Sequence, residues 1–69
     1  MMKTTIMNIE GMSCQHCVQS VTDAIKKLQG VSEVDVNLES KTATVKYDES
    51  VLSTSDLSTA VENQGFDVV

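Results

Sequence analysis

An α+β sandwich, one antiparallel four-stranded sheet with two helices on one face, is the fold these 69 residues predict. Three observations point there. Apolar residues alternate at every second position in some segments and recur at helical spacing in others. Those segments follow the order β-α-β-β-α-β. Each of the three glycines, Gly11, Gly30 and Gly65, sits where one pattern stops, as turn and cap residues do.

Thr4 to Glu10 reads as the first strand, with Met7 and Ile9 facing the core and Ile6 and Asn8 facing away. Gly11 to Ser13 forms a loop. Val18, Val21, Ile25 and Leu28 then lay one apolar stripe along a helix from about Gln15 to Leu28. Lys26 and Lys27 in its last turn suit the negative end of the helix dipole, and Gly30 stops it. Val34, Val36 and Leu38 share one face of a strand from Val31 to Leu38. The polar turn Glu39-Ser40-Lys41 leads into a strand from Thr42 to Tyr47, with Ala43, Val45 and Tyr47 inward. These two strands form a hairpin. Asp48 to Leu52 is a connector. Ser53 caps a second helix, with Asp56 in its first turn and Leu57, Ala60 and Val61 on its apolar side. Phe66, Val68 and Val69 remain for a final short strand. Right-handed crossovers in two split βαβ units put both helices on one side, the ferredoxin-like arrangement. The loop after the first strand then sits at one end of the domain, at the edge of the sheet.

A chain of this length makes one domain, residues 1–69. Aromatic residues are scarce, with Tyr47 and Phe66 alone, so aliphatic side chains must build the core. The net charge of −5 disfavours binding to nucleic acid or to an anionic membrane. No stretch is long and apolar enough for a signal-peptide core or a membrane span, so the expected compartment is the cytoplasm. Thiols stay reduced there, and two cysteines three positions apart point to metal or redox work rather than a structural staple.

Those cysteines lie in Gly11-Met12-Ser13-Cys14-Gln15-His16-Cys17, which also holds the chain's single histidine. Cys14 falls in the loop and Cys17 in the first helical turn. Residues three apart on a helix share a face, so both sulfurs converge near unpaired backbone N–H groups. The helix dipole there favours thiolate over thiol. Soft thiolates select Cu(I) and Zn(II). A structural zinc site wants four ligands, whereas two sulfurs suffice for Cu(I) and leave room for a third from another protein. Met12 reads as core filling before a third ligand, because Met packs irregular gaps. His16 is an accessory candidate, although it points away from the cysteine face once the helix has begun. No acidic pair has the setting of an acid/base site and no phosphate-binding glycine loop is present, so no enzyme is expected.

The seven-residue run, in a chain of this length and element order, resembles the GMxCxxC loop of the heavy-metal-associated domain. The resemblance covers the whole chain, through Gly30-Val31, Val36-Asn37-Leu38 and the ending Gln64-Gly65-Phe66-Asp67-Val68. It is strongest to the small bacterial copper chaperones that pass Cu(I) to a copper-exporting P-type ATPase. The resemblance implies Cys14 and Cys17 as Cu(I) ligands, Met12 as a buried support beneath the loop, and the ATPase's metal-binding domains as partner. Copper bridging two such loops would give a homodimer. Many of those chaperones carry Tyr where this chain has Phe66, a residue also found in the ATPase domains, so no hydrogen bond from a ring hydroxyl near the metal is expected here. Two other readings stay open: a soft-metal-binding domain of a transporter, or a carrier of Hg(II), Cd(II) or Zn(II), is one. The other is a thiol oxidoreductase, since CxxC is also a redox motif.

Overall fold

A computed structural model describes residues 1–69. Six elements follow the expected order: β1 (Met2–Glu10), α1 (Gln15–Lys26), β2 (Val31–Asn37), β3 (Thr42–Asp48), α2 (Thr54–Glu62) and β4 (Asp67–Val68). The strands form one antiparallel sheet in the order β2-β3-β1-β4. Strand parity decides which side is covered. Met7, Ile9, Ala43, Val45 and Tyr47 face the helices and meet Val21 and Ile25 of α1 and Leu57 and Val61 of α2 in one core. Ile6, of opposite parity, is 65% exposed on the other face.

The strands depart from simple alternation at one place. Val31 and Val34 both pack against the core although three positions separate them. A bulge allows this: Val31 pairs with Tyr47 and Glu33 with Lys46, so two steps on β2 meet one on β3. β1 starts two residues earlier than the sequence pattern suggests, because Met2 and Lys3 pair with Asp48 and Tyr47 of the long strand β3.

The ends of the helices also differ from expectation. α1 stops at Lys26 rather than Leu28, and the Leu28 N–H tightens the last turn by donating to the Ile25 carbonyl at 3.0 Å. Leu28 still packs on the core. At the start of α2, Ser53 is the cap residue, and its backbone N–H donates to Asp56 Oδ2 at 2.8 Å. Leu52, in the segment read as a connector, is buried. It closes the core over Gly30, where even a Cβ would meet it at 2.5 Å.

The final strand is shorter than expected. β4 comprises Asp67 and Val68, paired with Glu10 and Ile9; Phe66 precedes it, and Val69 is held by one bond from its N–H to the Asn8 carbonyl at 2.9 Å. The cysteine loop therefore leaves β1, an inner strand, and not the edge of the sheet.

Candidate metal centre

Gly11 ends β1 with a φ of +102°, a left-handed conformation that turns the chain out of the sheet and that glycine adopts without strain. Met12 then drops into the core, 5% exposed, and anchors the loop from below. Cys14 is the N-cap of α1 with an extended backbone (φ −158°, ψ 172°). Its carbonyl accepts the N–H groups of Cys17 at 3.0 Å and Val18 at 3.2 Å. The N–H groups of Gln15 and His16 have no backbone partner. No side chain caps this helix and no acidic residue lies in its first turn. The positive end of α1 is thus left to the sulfurs.

Those sulfurs are close. Cys14 Sγ and Cys17 Sγ lie 3.5 Å apart in a shared S–H···S contact, with Cys14 exposed and Cys17 half-buried; both are free thiols. The Cys17 thiol is held below its ordinary range. The main cause is a hydrogen bond from the Ser13 backbone N–H, followed by the bond with the Cys14 side chain. The Cys14 backbone and the Ser13 hydroxyl add smaller contributions in the same direction, against a modest opposing effect of desolvation. Ser13 is the site residue that sequence reasoning did not assign to this work. Its one signal in the sequence was its position, one residue before the first cysteine.

The remaining candidates lie around the pair. His16 is exposed on the first turn and does not join the cysteines in a cluster of three metal-ligating side chains. Phe66 is half-buried, packs against the core and comes up beside Gly11, where a Cβ would lie 3.3 Å from its Cδ1. The arrangement is an open pair of soft donors, accessible from solvent on the Cys14 side. Paired thiolates of this kind are suited to a soft cation, whose binding would displace the thiol protons. Elsewhere, no helix is long and apolar enough to cross a membrane.

The class that this fold and loop define is matched directly. The chain belongs to the heavy-metal-associated domain family, whose match spans residues 6–67. It is 46% identical over 68 residues to the protein named copper chaperone CopZ from Staphylococcus aureus strain JH9, covering 99% of this chain and all of that one. Among solved structures, a CopZ metallochaperone superposes with a TM-score of 0.95 at 45% identity, covering 97% of this chain and all of that one. The N-terminal domain of a potential copper-translocating P-type ATPase from Bacillus subtilis, in its Cu(I)-loaded state, gives a TM-score of 0.93 at 34% identity. That likeness covers 99% of this chain and 85% of the other.

Proposed function

We propose that this chain is a cytosolic copper chaperone, one domain over residues 1–69, that carries Cu(I) between Cys14 and Cys17 and has no enzymatic activity. The observation that carries this reading is the pair of free sulfurs 3.5 Å apart at an uncapped helix N-terminus. Two soft donors satisfy Cu(I) and leave its coordination open, so the ion is held and still reachable. Transfer proceeds by exchange of one sulfur at a time. A thiolate from the partner's own CxxC forms a bond to copper while the bond to one cysteine here breaks. The released thiolate takes up the proton that the incoming thiol gave up, so charge and atoms balance and no oxidation occurs.

The likeness to a Cu(I)-loaded ATPase domain supports the metal-binding domains of a copper-transporting P-type ATPase as the acceptor. Two chains of one fold, each presenting a cysteine pair at an exposed loop, can bring their sulfurs to a single ion. Copper shared between two copies of this chain gives a homodimer by the same chemistry. Met12 keeps the loop seated in the core, Phe66 backs Gly11, and His16 stands at the rim of the site without binding the ion in the monomer.

Metal preference is the test. Anaerobic competition between Cu(I) and Zn(II) should leave Cu(I) bound at one ion per chain under a large excess of Zn(II). Comparable affinities would contradict the copper assignment. A second reading, a metal-binding domain of the transporter itself, draws on the same ATPase likeness. It is separated by mixing the copper-loaded chain with an isolated ATPase domain and following which protein holds the metal: a chaperone gives its copper up and is released.

A further inference from the structure

We infer that the free edge of β2 takes up an extended segment of another protein, in which two aliphatic residues flank one Lys or Arg. β2 is the outermost strand of the sheet and pairs with β3 alone. It lies inside the chain, between α1 and β3. Its inward side chains stand apart from the rest of the core. Met7, Ile9, Ala43, Val45 and Tyr47 of the two inner strands are buried, whereas Val31, Val34 and Val36 of β2 are half-buried. α1 is the helix that packs on β2, and it leaves this flank part-covered.

The free hydrogen-bonding groups follow from parity. Asp48 N–H donates to the Gly30 carbonyl at 2.8 Å, so Asp48 faces β2. Alternation turns Lys46, Thr44 and Thr42 the same way, and their partners Glu33, Asp35 and Asn37 face back toward β3. The N–H and C=O groups of Val34 and Val36 therefore point off the edge of the sheet. The bulge lies before Glu33, and from Glu33 to Asn37 the register is regular. That stretch is long enough to seat a short guest strand by backbone pairing.

The side chains set what the guest must carry. Guest residues opposite Val34 and Val36 share their face and extend the apolar layer beside α1. The guest residue between them shares the outward face with Asp35. Glu33 has Lys46 opposite it, and Lys26 lines the same open basin as Glu33 and Asp35. Asp35 has Thr44 opposite it and takes part in no ion pair. Opposite charges directly across a strand pair attract, so a Lys or Arg at that place completes the row. β2 of a second copy is the wrong occupant. Pairing about Val34 sets Glu33 against Asp35 twice, and pairing about Asp35 sets that carboxylate against itself. The guest lies three strand spacings from β1, about 14 Å, so the cysteine loop that leaves β1 stays clear.

The experiment follows the backbone amides of the whole reduced chain by NMR, with a chelator present. The probe is a cyclic hairpin peptide with Thr-Val-Lys-Val-Thr on its open strand, held extended so that little ordering is lost on binding. The Val34 and Val36 amides should shift and exchange more slowly as the peptide is added. The Asp35 N–H, which already faces β3, should exchange as before. The same peptide with Glu in place of Lys should bind about fivefold more weakly. Asp35→Lys, at an exposed position, should reverse that preference. No shift at millimolar peptide would overturn the proposal. So would shifts confined to the cysteine loop, equal binding of the two peptides, or a preference that Asp35→Lys leaves unchanged. The copper reading stands or falls separately, because every arm is metal-free.

Discussion

Phe66 lies against Gly11 so closely that a Cβ on the glycine would come within 3.3 Å of the ring carbon Cδ1. The contact ties the segment before β4 to the residue that opens the cysteine loop. Gly11 also holds a φ of +102°. Gly11→Ala therefore meets both backbone strain and a tight neighbour, and should cost about 1–3 kcal/mol of stability in urea unfolding. Combining it with Phe66→Ala relieves the contact and leaves the strain. The effect of Gly11→Ala should then shrink without vanishing, and full additivity of the two substitutions would contradict the contact.

Gly30 is the tighter position. A Cβ there would sit 2.5 Å from Leu52 Cδ2 and 2.9 Å from Val51, at a φ of +103°. Gly30→Ala should lower the unfolding midpoint more than Gly11→Ala does. Since Gly30 lies at the far end of α1 from the cysteines, copper stoichiometry of the folded variant should be unchanged. A stoichiometry lost in step with stability would show that the two ends of α1 are coupled.

The core and the cysteine loop were legible in the sequence because their signals are local. Met7, Ile9, Val21, Ile25, Ala43, Val45, Tyr47, Leu57 and Val61 all declare themselves by two-residue or helical spacing, and all are buried. Leu52 was not legible, since no period marks a single apolar residue in a connector; in the fold it joins the core and packs closely over Gly30. The bulge that turns Val31 inward depends on the partner strand β3, and the shortness of β4 on how few β1 residues it reaches. At the site, the cysteine spacing implied converging sulfurs. The Ser13 bonds to Cys17 depend on backbone orientation, which residue identity alone does not encode.

Ser13 acts on Cys17 chiefly through its backbone N–H, with the hydroxyl contributing least. Ser13→Ala keeps the larger bond, so the Cys17 thiol should titrate only slightly higher, as read from thiolate absorbance in the ultraviolet. Cys14→Ala removes the second-ranked bond and should raise the Cys17 titration further. The reverse order would contradict the hydrogen-bond assignment.

Acid should loosen the other end of the molecule. Asp48 is held below the ordinary carboxylate range, first by the Ser50 hydroxyl, then by the Ser50 backbone N–H and the N-terminal ammonium. Ser50 Oγ donates at 2.6 Å and the ammonium lies at 3.3 Å. A depressed folded-state pKa means stability that is fully present above the unfolded value, about 3.9, and lost as pH falls through the lower folded one. Asp48→Asn lacks that acid-sensitive part. Between pH about 4 and 2 its unfolding midpoint should fall less than that of the wild type. Parallel curves would contradict the assignment.

The central claim is that Cys14 and Cys17 alone hold the metal. It is tested most directly by anaerobic Cu(I) titration of the wild type and of Cys14→Ser/Cys17→Ser against a competing chelator. Circular dichroism on both proteins checks that the fold is retained. The wild type should take one Cu(I) per chain from the chelator, and the folded double variant should take none. Tight, stoichiometric Cu(I) retained by that variant would contradict the account.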